Sequence, residues 1–94
     1  MSDAGDNCGP AISIYTRALC GYCMAACSLL DRKGVAYKKI DATLSTKRRR
    51  EMMDRSGQST FPQIFIDDEP IGGYDELAEL DRDGQLDSRL GLDG

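Results

Sequence analysis

Thr16-Arg17-Ala18-Leu19-Cys20-Gly21-Tyr22-Cys23-Met24-Ala25-Ala26-Cys27 decides how the rest of the chain is read. A β-branched and apolar run, Ala11 to Tyr15, leads into it, and a segment with helical spacing that stops at Gly34 leads out. Cys20 and Cys23, two residues apart, therefore stand where a strand hands over to a helix, which is the setting of a redox-active dithiol. The first turn of a helix has unpaired N–H groups and a positive partial charge, and both favour a thiolate over a thiol. Cys20 falls at or just before that turn, with the positive charge of Arg17 three residues upstream. Such surroundings lower a cysteine pKa from about 8.5 to roughly 3.5–7.5. The thiolate is the form that attacks a disulfide. Cys23 lies one helical turn further on the same side, within reach of a disulfide to Cys20.

Competing chemistries are narrowed by what the chain lacks. A structural zinc site takes four ligands, usually a second C-x-x-C or a histidine pair, and this chain has no histidine and no second C-x-x-C. Without an imidazole there is also no general base for a Cys–His hydrolase. Thiol–disulfide exchange needs neither. On a helical wheel the inward stripe runs through Tyr22, Cys23, Ala26, Leu29 and Leu30, with Cys27 at its edge. Cys27 lies about 10 Å along the axis from Cys20, too far for a disulfide without backbone movement, and reads as a small, half-buried apolar residue. Cys8 belongs to the N-terminal tail and has no partner in this reading.

Ninety-four residues make one small domain with a modest core. No apolar run approaches membrane-spanning length, and Met1 to Asp6 lacks the basic and apolar segments of a signal peptide. A cytoplasmic protein without a membrane partner is expected, and in a reducing compartment a C-x-x-C is catalytic rather than structural. The net charge of −4 is unevenly spread: Asp31 to Arg55 holds nine basic and four acidic residues, Ile64 to Gly94 two basic and ten acidic. The run Lys47-Arg48-Arg49-Arg50 reads as a solvated helix face and not as a nucleic-acid site, because no aromatics interleave it and the acidic C-terminal third repels phosphate. It also suits the steering of an anionic small molecule.

Taken in order, Met1 to Pro10 is expected to be a flexible tail and residues 11–92 a single domain. Ala11 to Tyr15 alternates as a first strand, with Ile12 and Ile14 on one face. The helix after Cys20 ends at Gly34, with Arg32 and Lys33 suiting the dipole of its last turn. Val35 to Ile40 is a second strand, parallel to the first because a helix intervenes. Ser45 caps a second helix, Thr46 to Ser56, which carries a thin apolar face of Met52 and Met53 and stops at Gly57. Gln63 to Ile66 reads as a central strand, Asp67-Asp68 as a hairpin turn, and Glu69 to Gly72 as a fourth strand that Pro70 confines to an edge. Tyr74-Asp75 opens a third helix ending at Gly84, and Leu86, Leu90 and Leu92 suggest a last short turn of helix. The order is β-α-β-α-β-β-α.

Two further pieces flank the dithiol. Thr60-Phe61-Pro62 precedes the third strand. A cis Phe61–Pro62 bond would turn the backbone abruptly and leave the Phe61 N–H and C=O to pair with an extended substrate by strand addition. Gly72-Gly73-Tyr74-Asp75 opens the third helix, where paired glycines allow close approach of an anion to exposed N–H groups. Asp75 has two candidate roles there, as helix cap or as acceptor for a ligand ammonium.

With these pieces in sequence, the chain closely resembles the glutaredoxins of the thioredoxin-fold superfamily, from Ile12 to Leu92. The motifs are Tyr15-Thr16-Arg17-x-x-Cys20-Gly21-Tyr22-Cys23, Arg55-Ser56-Gly57-x-x-Thr60-Phe61-Pro62-Gln63-Ile64-Phe65-Ile66 and Ile71-Gly72-Gly73-Tyr74-Asp75-Glu76-Leu77. Thioredoxin itself is a poorer match, since its active site normally carries a tryptophan and this chain has none. The resemblance implies an α/β thioredoxin-like fold, a four-stranded mixed sheet flanked by helices, with glutathione as cosubstrate and glutathionylated or disulfide-bonded proteins as partners. It implies Cys20 as nucleophile, Cys23 as resolving cysteine, Arg17 pairing with a glutathione carboxylate and Tyr22 packing beside the glutathione sulfur. Thr60, Phe61 and Pro62 would pair with the cysteinyl part, and Gly73, Tyr74 and Asp75 would hold the γ-glutamyl end. Gly21 stands where dithiol members most often have proline. In this family a glycine there also occurs in members that carry a [2Fe–2S] cluster between two subunits, which here would be ligated by Cys20 of each subunit and two glutathiones. A monomer is therefore implied, dimeric only when a cluster is bound. Tyr74, where Cys or Ser is often seen, crowds the glutathione site.

Overall fold

The computed structural model describes residues 11–92; the expected tail, with Cys8, lies outside them. Eight elements follow one another: β1 (Ile12–Thr16), α1 (Gly21–Arg32), β2 (Lys38–Asp41), α2 (Thr46–Ser56), β3 (Gln63–Ile66), β4 (Glu69–Gly72), α3 (Tyr74–Arg82) and the short α4 (Leu86–Arg89). The strands form one mixed sheet in the order β2-β1-β3-β4. Strand β1 pairs parallel with β2, Tyr15 opposite Ile40, and antiparallel with β3, Ile14 opposite Ile64. The antiparallel β3–β4 pair turns at Asp67-Asp68, both in the left-handed region at φ 53° and 67°, as a two-residue hairpin turn requires.

Side-chain alternation along the two central strands divides the core between the two faces of the sheet. Ile12, Ile14, Ile64 and Ile66 meet Ala26, Leu29 and Leu30 of α1, Leu77 of α3, and Leu86 and Leu90 of α4. On the opposite face Tyr15 and Phe65 meet Met52 of α2, their rings edge-to-face at 5.6 Å. Strand β3 is buried on both faces throughout, as expected of a central strand.

Four local expectations are corrected. Strand β2 begins at Lys38 rather than Val35: Val35 and Tyr37 pack against the larger cluster as loop residues, and the Tyr37 hydroxyl donates to Asp31 at 2.8 Å. Tyr22 is not part of the inward stripe of α1; it is 63% exposed while Cys23, Ala26, Leu29 and Leu30 are buried. Met53 points outward and Met52 alone is buried in α2. Asp75 is not the cap of α3, because Gly73 holds that position and its N–H donates to Glu76 Oε1 at 2.8 Å. The ends of α2 fall where expected, with the Arg48 N–H donating to Ser45 Oγ at 3.1 Å and Gly57 closing the helix at φ 74°.

Candidate active site

Strand β1 delivers the chain to the dithiol, and the loop Arg17-Ala18-Leu19 aims it. The Ala18 N–H donates to Thr43 Oγ1 at 2.8 Å, which ties this loop to the β2–α2 connection. Leu19 is fully exposed and left-handed at φ 57°, an uncommon conformation for a branched residue. Cys20 follows in extended conformation as the N-cap of α1, so its sulfur lies at the positive end of the helix. It is 7% exposed and Cys23 3%.

The two thiols are driven apart. Burial disfavours the Cys20 thiolate, but the Cys23 thiol, the backbone N–H groups of Cys23 and Tyr22, and the charge of Arg17 together outweigh it, leaving Cys20 below the ordinary thiol range. Cys23 is pushed up to about 11, chiefly by burial, with a backbone hydrogen bond from Arg17 opposing and the Cys20 sulfur adding to the rise. Ionisation of the Cys20 sulfur is favoured, and Cys23 is held as a proton donor to it.

Beside the dithiol runs a groove of about 300 Å³ between Tyr22, Gln58, Thr60, Phe61, Pro62, Gly73, Tyr74, Asp75 and Glu76. The Tyr22 and Tyr74 rings lie 6.1 Å apart and form one wall. The Phe61–Pro62 bond is cis, and a Cβ on Gly73 would stand 3.3 Å from the Pro62 carbonyl, so glycine permits the two loops to close on each other there. An adjoining hollow of about 330 Å³ is lined by Arg17, Arg49, Ser59, Thr60 and Phe61. The guanidiniums of Arg17 and Arg49 lie 6.0 and 5.7 Å from the Phe61 ring centroid. The two openings share Thr60 and Phe61, and between them they collect all eight non-cysteine residues singled out from the sequence.

Three contributors were not singled out. Buried Gln63 donates from Nε2 to the Thr60 carbonyl at 3.0 Å, to Thr60 Oγ1 at 3.1 Å and to Gln58 Oε1 at 3.2 Å. With Thr60 Oγ1 and Gln58 Oε1 used as acceptors, the Thr60 O–H and the Gln58 amide N–H groups are left to donate toward the groove. Gln63 was legible only as part of a motif, and Gln58 stood at an unassigned position. Arg49 was hidden in Lys47–Arg50, where composition does not say which side chain turns inward; its Nε donates to the Ala42 carbonyl at 3.0 Å and its guanidinium to the Thr43 carbonyl at 2.8 Å.

The family model described as Glutaredoxin matches residues 12–71. The chain belongs to the glutaredoxin family. Glutaredoxin 3 of Escherichia coli strain K12 is 46% identical over 79 residues, which span 84% of this chain and 95% of that protein. The solution structure of a glutaredoxin from Brucella melitensis superposes with a TM-score of 0.77 at 46% identity, covering 89% of this chain and 91% of that one. The crystal structure of a buckwheat glutaredoxin–glutathione complex gives a TM-score of 0.80 at 29% identity, covering 87% and 77%. The glutaredoxin family is one of thiol–disulfide oxidoreductases, and the dithiol at the start of α1 suits that class. Among the described residues of this glutaredoxin no helix is long and apolar enough to cross a membrane.

Proposed function

We propose that this glutaredoxin reduces protein–glutathione mixed disulfides, and protein disulfides, with glutathione as cosubstrate and in the cytoplasm as a monomer. The observation that carries the reading is the Cys20 sulfur, held below the ordinary thiol pKa at the start of a helix. The glutathione complex of the buckwheat relative supports the choice of cosubstrate. The Cys20 thiolate attacks the glutathione sulfur of a glutathionylated protein; the old S–S bond breaks, and its electron pair leaves on the protein sulfur, which takes a proton from water. A second glutathione thiolate attacks the sulfur now bound to Cys20, releasing glutathione disulfide and restoring the thiolate. Arg17 meets a glutathione carboxylate, Tyr22 flanks the sulfur, and the Phe61 backbone with Thr60 and Pro62 pairs with the cysteinyl part. Gly73, Tyr74 and Asp75 receive the γ-glutamyl end.

With a protein disulfide, Cys20 forms a mixed disulfide and Cys23 then attacks the Cys20 sulfur, expelling the protein thiolate and leaving Cys20–Cys23 joined for two glutathiones to reduce. Part of what holds Cys23 protonated is the Cys20 sulfur itself. Once that sulfur is bonded to substrate its charge is gone, so Cys23 ionises more readily at the step that needs it. Cys20→Ser should abolish turnover of both substrates, whereas Cys23→Ser should retain deglutathionylation and lose protein-disulfide reduction. Near-normal turnover by Cys20→Ser would sink the assignment.

A [2Fe–2S] unit takes four ligands, ordinarily thiolates, and the described residues bring no three metal-ligating side chains together. One chain therefore does not supply that set; the alternative reading, a cluster held between two chains, would take Cys20 from each and a thiolate from each of two glutathiones.

A further inference from the structure

Strand β3 is buried throughout, and its first residue, Gln63, is its one polar side chain, 1% exposed. The Gln63 Nε2 faces three acceptors: the Thr60 carbonyl at 3.0 Å, Thr60 Oγ1 at 3.1 Å and Gln58 Oε1 at 3.2 Å. A backbone carbonyl only accepts, so the nitrogen of the amide, not its oxygen, must face this loop. The oxygen that remains, Gln63 Oε1, is buried with no partner among the described residues. A buried acceptor left unmatched opposes folding. Packing alone therefore does not account for a glutamine at this position.

What Gln63 holds belongs to the tyrosine groove. The Gln58 N–H donates to Ser56 Oγ at 3.0 Å and its side-chain oxygen is given to Gln63, so Gln58 is fixed at both ends with its amide nitrogen left free. Gln58 and Thr60 both line the groove, and of the neutral donors there these are the two whose orientation Gln63 sets. The groove also carries the carboxylates of Asp75 and Glu76, and none of its lining residues is Lys or Arg. The guanidiniums of Arg17 and Arg49 belong to the adjoining hollow, and the Gly73 N–H is already given to Glu76 Oε1. A γ-glutamyl end brings an ammonium and a carboxylate into this setting. The ammonium suits Asp75. The carboxylate, beside acidic side chains and without a cation, has to be held by neutral donors.

We propose that Gln58 is a specificity residue of the groove, donating from its amide nitrogen to the α-carboxylate of the γ-glutamyl end, and that Gln63 is the positioning residue that aims it. Without Gln63 the Gln58 amide is free to rotate, and either its oxygen or its nitrogen can face the ligand. With Gln63 in place only the donor does. The pair thus makes the chain distinguish a γ-glutamyl thiol from one that lacks this carboxylate. Gln58 occupies one of the two positions between Gly57 and Thr60 to which the family motif gives no residue. The inference rests on the glutathione reading above and adds to it a contact from this chain's own sequence.

Two mixed disulfides of one peptide test it, the first with glutathione and the second with γ-aminobutyryl-cysteinylglycine, which is glutathione without its α-carboxylate. The readout is the ratio of their kcat/KM values, in which general damage to the dithiol cancels. For the wild-type chain the ratio should be about ten, and Gln58→Ala should lower it about fivefold. Gln58→Glu keeps an oxygen for Gln63 and presents a second to the ligand carboxylate, so the ratio should fall to about one or below. Gln63→Met fills the same space without N–H groups and should lower the ratio about as far as Gln58→Ala. The double variant should fall no further, because both changes remove the same bond. Gln63→Asn, a methylene too short to reach Gln58, serves in its place if Gln63→Met does not fold. A wild-type ratio near one, or a ratio unmoved by both Gln58 substitutions, would overturn the proposal while leaving disulfide exchange standing. Losses that multiply in the double variant would overturn the positioning role of Gln63. No turnover of either mixed disulfide by the wild-type chain would overturn the disulfide-exchange reading and this inference together.

Discussion

Cys20 and Cys23 are the same residue one helical turn apart, and their opposite shifts come chiefly from the burial of Cys23 and then from which of the two donates. From the sequence, the helix start and Arg17 account for an ionised Cys20. The folded chain adds the Cys23 thiol, which ranks ahead of both among the groups that favour the thiolate, with Arg17 last. That ordering depends on where the Cys23 side chain lies once α1 has buried it, and spacing alone does not carry it. Because only the thiolate alkylates, the rate of Cys20 alkylation by iodoacetamide should rise with pH through the Cys20 pKa, with a midpoint below the ordinary value of about 8.5. Cys23→Ala removes the S–H donor and should move that midpoint upward. Arg17→Gln should move it in the same direction by less. An unchanged midpoint in Cys23→Ala would mean that the second sulfur plays no part in ionising the first.

Elements whose ends are set by local chemistry are the ones the sequence locates best. Helix α2 runs Thr46–Ser56 as expected because Ser45 can cap and Gly57 can adopt a positive φ, both of which are single-residue properties. Strand β2 starts later than residue type suggests: Val35 and Tyr37 are β-formers, and tertiary packing against the larger cluster overrides that preference. What fastens α2 to the sheet was not legible either. Its buried apolar content is Met52 alone, and the rest is polar. The Tyr15 hydroxyl donates to Glu51 at 2.6 Å and accepts from Arg55 at 2.8 Å. Arg55 also lies 4.1 Å over the Phe65 ring centroid and 3.1 Å from Asp68. Burial, then the bond to Glu51, raises the tyrosine pKa, so the hydroxyl stays a donor at neutral pH. Tyr15→Phe keeps the edge-to-face packing and loses both hydrogen bonds, while Arg55 retains its ring and Asp68. The expected loss is about 1 kcal/mol, read as a lower urea midpoint at constant m-value. A loss near zero would place the attachment of α2 in the Met52 contact and the arginine–aromatic stack.

At the scale of the whole molecule, element order and the composition of the core were legible because they follow from periodicity, and the three-part motif gave the family. The charge imbalance between residues 17–50 and residues 51–92 was visible as composition, but composition does not say where the two sets meet. The two sets meet at Lys33, at the end of α1, whose ammonium contacts Asp81 at 2.7 Å and Asp87 at 2.8 Å. These partners lie far along the chain, and nothing in a local window of sequence points to them. Lys33 thus ties the end of α1 to α3 and to the last turn, where Leu86 and Leu90 are buried in the core and Leu92 stays exposed. A latch of this kind, at the surface and remote from the central strands, should control local opening rather than global unfolding. Lys33→Ala should therefore speed hydrogen exchange at Leu86 to Leu92 and leave the amides of β1 and β3 as protected as before. Raising the salt concentration should narrow the difference between wild type and variant, since the pair is solvent-accessible and screened. Equal acceleration at β1 and β3 would mean that the last turn opens only when the sheet does, and that the two ends of the molecule form one cooperative unit.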